Sequence, residues 1–257
     1  MTTAERAELL RSLHVPGDPL IVTNVWDAAT ARAVAAVPGV RALATASHAI
    51  SEARGVDDGE GLTVDEALDT ARIICGAVTI PVSVDFERGY SADAAGVEAN
   101  VRRLAQAGAA GLNFEDSVSP TEMRPLAEQV ERIRAVRAGA DAAGVPLSLN
   151  ARVDALRRGE SFTQAVERAN AYLEAGGDSV FVLGLDTADD VARAVAEISG
   201  PVAVIAWHGY LPLTQLADLG IARVSFGPGP QALTLRHLAA AAEAVTARGD
   251  YPPELSF

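Results

Sequence analysis

The sequence of 257 residues contains no lysine, so all 21 of its cationic residues are arginines. Schiff-base aldolases, pyridoxal phosphate enzymes and proteins with a Walker-type phosphate loop all need a lysine amine, and these classes are excluded. The 34 acidic residues give a net charge of -13, which repels nucleic acid and anionic membrane surfaces. We therefore expect neither as a partner, and a small anionic substrate would need a local cationic site.

Cysteine and long apolar runs are also scarce. Cys75 is the only cysteine, which excludes an internal disulfide and suits a reducing compartment. No run of about 18 apolar residues occurs, and the first residues lack the apolar core of a secretory signal. These features predict a cytoplasmic protein in which Cys75 is a small buried side chain and not a nucleophile.

Short apolar runs alternate with alanine-rich amphipathic stretches along the whole chain. The runs are continuous and not alternating, as expected for a parallel sheet covered on both faces. Eight such pairs without a composition break predict a single (β/α)₈ TIM-type barrel over 1–257, with an N-terminal helix or arm at 1–19 and a tail at 248–257. The predicted strands lie at 20–24, 40–46, 81–86, 111–115, 145–151, 179–183, 201–206 and 222–227.

An open, doubly wound sheet is the alternative fold. Such a sheet usually has a glycine-rich first turn, whereas the turn after the first predicted strand is Val25-Trp26-Asp27. The absence of a G-x-G-x-x-G motif argues against dinucleotide binding.

Polar side chains collect where the predicted strands end. In a barrel these ends meet at one mouth, which is where catalytic residues lie. The residues are Asn24, Trp26, Asp27, Ser47, His48, Asp85, Glu87, Arg88, Asn113, Glu115, Asp116, Asn150, Arg152, Asp154, Trp207 and His208.

Three of these acids, Asp85, Glu87 and Glu115, are expected to converge without a lysine to neutralise them. Such a cluster is costly unless a cation is bound. Oxygen ligands without a Cys or His cluster favour Mg²⁺, with Mn²⁺ also possible, over Zn²⁺. The alternative, that these acids cap helices or pair with arginines, remains open at this point.

Arg152 and the histidines also allow two interpretations each. The fork of Arg152 suits a substrate carboxylate or phosphate, and equally a buried ion pair. His48 and His208 are candidate acid/base residues or hydrogen-bonded rim residues, whereas His14 and His237 lie in helical stretches. Two loops, 50–62 and 117–125, are candidate lids, inert surface segments or oligomer contacts.

Five segments resemble, in order, the isocitrate lyase and phosphoenolpyruvate mutase superfamily, over about Leu20 to Val245. VWDAATARAVAAVPGVRALATAS resembles its opening strand, helix and second strand, and RGVDD resembles the segment with an active-site Asp, here Asp58. PVSVDFERGY resembles the D-x-D-x-G-Y metal motif, with Glu87 in the second acidic position. AAGLNFEDS resembles the strand bearing a metal-associated acid, Glu115, and LNARVDA resembles the strand bearing the substrate-binding Arg, Arg152.

The resemblance implies a Mg²⁺-dependent (β/α)₈ barrel that acts on small 2-oxo or 2-hydroxy acids. It implies that Asp85 holds the metal, partly through water, and that Glu87 and Glu115 complete the outer shell. The backbone N–H groups of Ser47 and His48 would bind the substrate carboxylate. Trp26, Asn150, Arg152 and His208 are the further expected substrate contacts.

Two departures from the family pattern concern the loop after the fourth strand. Family lyases carry a K-[KR]-C-G-H loop there, and mutases carry a longer loop with Lys and Asn. This chain has SVSPTEMRP instead, without Lys, Cys or His. The segments that resemble the metal-binding and oxo-acid-binding motifs are retained, whereas the loop that carries the acid/base group of the lyases is absent.

The expected function is a Mg²⁺-dependent lyase that cleaves or decarboxylates a small 2-oxo or 2-hydroxy di- or tricarboxylic acid through a metal-stabilised enolate. Catalysis would involve Arg152, Asp58 and a base, namely His48, Glu115 or a metal-bound water. The alternatives are a phosphonopyruvate or phosphoenolpyruvate mutase or hydrolase, and a non-catalytic metabolite-binding barrel. A homodimer or homotetramer is expected, although a short segment after the eighth helix argues against exchange of that helix.

Overall fold

All eight predicted apolar runs form strands in the computed structural model, which describes residues 1–119, 121–249 and 252. The strands of these residues are β1 (Leu20–Val22), β2 (Asn24–Val25), β3 (Leu43–Thr45), β4 (Val82–Asp85), β5 (Gly111–Phe114), β6 (Ser117–Ser119), β7 (Glu122–Met123), β8 (Ser148–Val153), β9 (Ser179–Val182), β10 (Val202–Ile205) and β11 (Arg223–Ser225). The helices are α1 (Thr3–Ser12), α2 (Ala28–Ala35), α3 (Ser47–Arg54), α4 (Val64–Gly76), α5 (Ala94–Gln106), α6 (Leu126–Ala142), α7 (Phe162–Glu174), α8 (Ala188–Glu197), α9 (Leu213–Asp218) and α10 (Gly229–Thr246), with a 3₁₀ helix at Ala155–Arg158.

The main sheet of the described residues closes on itself. Its nine strands follow the order β1-β11-β10-β9-β8-β5-β4-β3-β2, and every neighbouring pair is parallel. The two end strands, β1 and β2, are separated only by Thr23, so one stretch of chain pairs with β11 on one side and with β3 on the other. The barrel prediction is therefore confirmed, and the open doubly wound sheet was the wrong alternative.

Helix starts follow the capping signals in the sequence. Thr63 accepts a hydrogen bond from the Glu66 amide, and the Glu66 side chain accepts one from the Thr63 amide, which forms a capping box at the start of α4. Ser161 and Gln164 form the same arrangement at α7. These reciprocal bonds satisfy amides that have no partner within the helix and fix where each helix begins.

Helix α1 packs against the N-terminal end of the barrel. Leu10 and Leu13 join Leu20 and Val22 in an apolar cluster there. A Cβ atom on Gly111 would lie 2.8 Å from Leu10 Cδ2, so only glycine allows this close approach. The helix therefore covers the end of the barrel opposite to the predicted site.

Both candidate lid segments contain regular secondary structure. Residues 50–54 belong to α3, so only the remainder of 50–62 connects α3 to α4. The segment 117–125 contains the β6–β7 hairpin, with Pro120 outside the described residues. Arg88 donates to the carbonyl oxygens of Gly59, at 2.6 Å, and Val118, at 3.0 Å, and so joins the two segments.

Helix α10 does not cover the barrel wall as the eighth helix of a barrel would. Its first turns contact the barrel through the buried Gln231, whose amide donates to the Ala49 carbonyl. Leu233, Leu235 and Leu238 further along are 57%, 44% and 64% exposed. The C-terminal tail predicted at 248–257 lies largely outside the described residues.

Among the described residues, no helix combines the length and the apolar character needed to cross a bilayer.

Candidate active site

A cavity of about 220 Å³ opens at the C-terminal mouth of the barrel. Its volume lies below the roughly 300–1,000 Å³ of sites for drug-sized ligands and suits a small organic acid. Seven residues predicted for the mouth line it: Asn24, Ser47, His48, Asp58, Asp85, Asn113 and Arg152. The other lining residues are Thr45, Ala46, Phe181, Leu183, Ile205, Ser225, Gly227 and Pro228.

Asp85 presents one carboxylate oxygen without a partner. Its backbone amide donates to Thr45 Oγ1 at 2.8 Å, and its Oδ2 accepts from the Ser47 amide at 3.0 Å. Its Oδ1 is buried and has no hydrogen-bond partner among the described residues. Burial raises the pKa of Asp85, and Arg152 opposes this shift. Asp85 lines the cavity, and a carboxylate oxygen without a protein partner is the kind of ligand that a hard divalent cation prefers, so the residues fit Mg²⁺.

Arg152 is held by two acids. Its Nε and Nη2 donate to the two oxygens of the fully buried Asp154 at 2.6 and 3.2 Å, and its Nη1 pairs with Glu115. Burial opposes the charge of Arg152, but Glu115 and Asp154 outweigh it and raise the pKa of the guanidinium. The ion pair of one interpretation is therefore present, and the substrate-binding role of Arg152 stays a prediction. The pair also fixes the guanidinium at the cavity wall, where it can meet an anionic ligand.

Glu87 supports the loop between α3 and α4. Its Oε1 accepts from the Tyr90 hydroxyl at 2.6 Å, and its Oε2 accepts from the Glu60 amide. Its backbone adopts a left-handed φ of +45°, an uncommon conformation for a residue other than glycine. Burial raises the pKa of Glu87 to about 7, although the Tyr90 hydrogen bond opposes this shift and Asp85 adds to it.

The three acids predicted to share a metal ion are not grouped at one point. Within the described residues, no three His, Cys, Asp or Glu side chains lie close enough together to hold an ion. The physical reason is local pairing, because Glu115 contacts Arg152 while both oxygens of Glu87 accept hydrogen bonds. Glu87 and Glu115 instead line a second cavity beside the first one. This arrangement corrects the expectation of one three-carboxylate cluster and leaves Asp85 as the residue with a free oxygen.

His48 and Asp58 face each other at the rim of the first cavity. His48 Nδ1 lies 3.6 Å from Asp58 Oδ2, with the side chains 56% and 40% exposed. His48 is the second residue of α3, so the fold of the β3–α3 turn brings it to the mouth. The Ser47 amide, expected to bind a substrate carboxylate, donates to Asp85 in this structure.

Three predicted substrate contacts do not line the first cavity. Asn150 is buried beneath it, where its amide donates to Asn113 Oδ1 at 2.9 Å and its own Oδ1 accepts from Ser179 at 2.7 Å. Trp26 packs against the hydrophobic core. His208 lines a separate groove of about 660 Å³ between the end of β10 and the start of α10.

The apolar wall of the cavity was missed by sequence reasoning. Phe181, Leu183 and Ile205 come from predicted strands but carry no polar atom, and the search followed polar side chains. Phe181 and Leu183 are two residues apart, which is the spacing of side chains on one face of a strand. This two-residue spacing was the signal in the sequence that could have identified the apolar wall.

A barrel with a buried carboxylate and a paired arginine at its C-terminal mouth defines a class of (β/α)₈ enzymes that bind small anions. The family model for phosphoenolpyruvate phosphomutase matches residues 10–246. This chain belongs to the phosphoenolpyruvate mutase family, within the isocitrate lyase and phosphoenolpyruvate mutase superfamily, a family of enzymes.

Individual relatives agree with this assignment. An uncharacterised protein of Mycobacterium tuberculosis is 34% identical over 95% of this chain and 92% of its own length. A 2-methylisocitrate lyase of Halalkalibacterium halodurans is 31% identical over 84% of this chain and 72% of its own length. A crystal structure from Burkholderia cenocepacia, of a protein provisionally named a phosphonomutase, is 36% identical, with a TM-score of 0.88 over 96% of this chain and 100% of that chain.

Proposed function

We propose that this protein is a Mg²⁺-dependent carbon–carbon lyase that cleaves or decarboxylates a small 2-oxo or 2-hydroxy di- or tricarboxylic acid. The observation that carries the proposal is that Asp85 lines the same cavity as Arg152 and has a buried Oδ1 without a hydrogen-bond partner among the described residues. The 2-methylisocitrate lyase among the relatives supports the reaction class. A divalent cation beside Asp85, with Mn²⁺ as the substitute for Mg²⁺, would supply Lewis-acid stabilisation of negative charge on the substrate oxygens.

Side chains of the protein supply substrate binding and proton transfer. Arg152 binds a carboxylate of the substrate and is held in place by Asp154. His48, oriented by Asp58, moves the proton that the absent Cys loop moves in family lyases. Glu115 and Glu87 line the adjoining cavity, from which they would complete the outer shell of the cation through water. A decarboxylation needs no protein acid for the bond-breaking step, so this set is sufficient for it.

The decisive experiment measures pyruvate release from oxaloacetate and from 2-methylmalate with Mg²⁺ and with a chelator. We expect turnover with Mg²⁺ only, and loss of turnover and of Mn²⁺ binding in Asp85→Asn. Asp69→Asn is the matched control, because Asp69 is an exposed acid paired with Arg72 on α4. Equal turnover with metal and with chelator would contradict the proposal.

The second candidate is a phosphonopyruvate or phosphoenolpyruvate mutase or hydrolase. The 36% identical structure from Burkholderia cenocepacia favours it, and Arg152 suits either anion. Phosphorus NMR on phosphonopyruvate separates the candidates, since only this second activity converts the phosphorus signal. Oxo-acid binding without any product would instead indicate a non-catalytic metabolite-binding barrel.

We also propose a homodimer or homotetramer in the cytoplasm, in which a second copy covers the exposed leucines of α10. The surface around α10 carries both exposed leucines and an apolar groove. Trp207, Phe226 and Leu233 line this groove. A surface with both features is suited to pairing with its own copy about a twofold axis.

A further inference from the structure

A second cavity of about 200 Å³ adjoins the first at the mouth of the barrel. Arg152 and Asp58 line both cavities, so one ligand can extend from one into the other. Ser117 and Ser119 of β6 and Arg88 also line the second cavity. Its polar walls differ from the partly apolar wall of the first cavity.

Three arginines line the second cavity, namely Arg88, Arg152 and Arg158. Of these, Arg158 has the weakest contacts with other protein groups. Its Nη2 lies 3.9 Å from Asp154 Oδ2, and its Nε is buried without a hydrogen-bond partner among the described residues. Asp154 is already bound in bidentate fashion by Arg152. Arg88, the other arginine here, donates to two backbone carbonyls and contacts Glu60. Arg158 therefore retains capacity to bind an anion.

Arg158 also has a defined position. It is the last residue of the 3₁₀ helix Ala155–Arg158, and its backbone amide donates to the Asp154 carbonyl at 3.1 Å. Gly159 follows with a left-handed φ of +81°, a conformation that glycine adopts without strain. The side chain is 23% exposed, so its charge is partly removed from water. A partly desolvated guanidinium with unused donors binds a carboxylate strongly.

We infer that the second cavity is a subsite for a distal carboxylate of the substrate and that Arg158 is its specificity-determining residue. The inference rests on the proposed function for placing the 2-oxo acid head in the first cavity. The substrate class is then a 2-oxo or 2-hydroxy acid with an additional carboxylate beyond that head. A singly charged carboxylate suits the subsite better than a dianionic phosphonyl group, because Asp58, Glu87 and Glu115 line the same walls.

The test compares the binding of two ligands by calorimetry in the presence of Mg²⁺. 2-Oxoglutarate carries a distal carboxylate, and 2-oxopentanoate has the same carbon chain with a methyl group there. We expect the wild-type protein to bind 2-oxoglutarate about tenfold more tightly, as a charge-assisted hydrogen bond allows. In Arg158→Gln this preference falls below about threefold, and in Arg158→Lys, which keeps the charge, part of it returns.

Arg157→Gln is the matched control, because the neighbouring Arg157 pairs with Asp186 at 2.7 Å on the surface and lines neither cavity. It should keep the tenfold preference. Equal binding of the two acids by the wild-type protein, or no binding of either, overturns the inference without any variant. Tighter Arg158-dependent binding of phosphonopyruvate overturns the assignment to a carboxylate. The measurement needs no turnover, so failure of the lyase proposal is recognised separately, by the absence of Mg²⁺-dependent product.

Discussion

At the scale of single residues, Asp154 is the acid that holds the Arg152 side chain in position at the mouth of the barrel. Its side chain is fully buried, and its two oxygens accept the Nε and Nη2 hydrogen bonds of Arg152. Its amide also donates to Asp116 Oδ1 at 2.9 Å. A buried pair is costly to break, because removal of one partner leaves the other charge without compensation.

Asp154→Asn is therefore expected to lower the free energy of unfolding by about 3 kcal/mol and kcat/KM by about tenfold or more. Denaturant titration and steady-state kinetics are the measurements. Asp186→Asn is the control, because this half-exposed acid pairs with Arg157 on the surface, where ion pairs contribute little. Equal effects of the two substitutions would show that Asp154 has no special part in holding Arg152.

His14 is a second residue with a measurable effect, far from the site. It lies just after α1, where Nδ1 donates to the Leu10 carbonyl at 2.8 Å and Nε2 is buried without a partner among the described residues. Burial lowers the pKa of His14 to about 4, and the charge of Arg223 adds to this effect. The ring is therefore neutral in the folded protein over a range in which it is charged in the unfolded chain.

Stability should consequently fall as the pH decreases from about 6.5 to about 4, since the unfolded chain binds the additional proton. The contribution of His14 to this loss is about 3 kcal/mol. The free energy of unfolding should differ less between pH 7 and pH 4.5 in His14→Gln than in the wild-type protein. His237→Gln, at an exposed position in α10, should keep the wild-type difference. An unchanged difference in His14→Gln would exclude this role.

At the scale of elements, helix α4 illustrates how a local signal supports the site. The capping box of Thr63 and Glu66 fixes where α4 begins. The loop that ends there carries Asp58 and Glu60, and it is tied to β4 and its following turn through Glu87. The start of the helix therefore limits the movement of an acid at the mouth.

Thr63→Ala should lower the free energy of unfolding by about 1 kcal/mol, because the helix loses its capping oxygen. Thermal or denaturant unfolding tests this value. Thr234→Ala is the control, since Thr234 lies within α10 and its hydroxyl donates to the Pro230 carbonyl instead of capping a helix. If Thr234→Ala and Thr63→Ala lowered the free energy of unfolding equally, the result would argue against the capping explanation.

At the scale of the whole molecule, the exposed leucines of α10 predict self-association. Leu238→Glu should shift the molecular mass measured by light scattering from that of a dimer or tetramer towards that of a monomer. Leu238 is 64% exposed in the single chain, and a carboxylate buried at an interface of two copies would be strongly unfavourable. Val37→Glu, at a 53% exposed residue after α2, is the control and should leave the mass unchanged. A monomeric wild-type protein would contradict the assembly.

The barrel and the polar residues at its mouth could be predicted from the amino-acid sequence. The apolar runs beside Asp85, Glu115 and Arg152 predicted three strands correctly, with C-terminal ends that differ by one or two residues from those of the structure. Hydrophobic burial and the parallel arrangement of strands are local and periodic properties of the chain. The family motifs were also recognisable, since they occur within continuous segments.

The partners of those residues could not be predicted and became visible in the folded chain. Whether Glu115 faces a cation or Arg152, and whether Asn150 reaches the cavity or stays beneath it, depends on side chains that come from different strands. The packing of α10 likewise depends on a surface distant in sequence. Pairing energies of buried charges are set by distances of a few ångströms and by burial, and neither quantity is encoded in the spacing of residues along the chain.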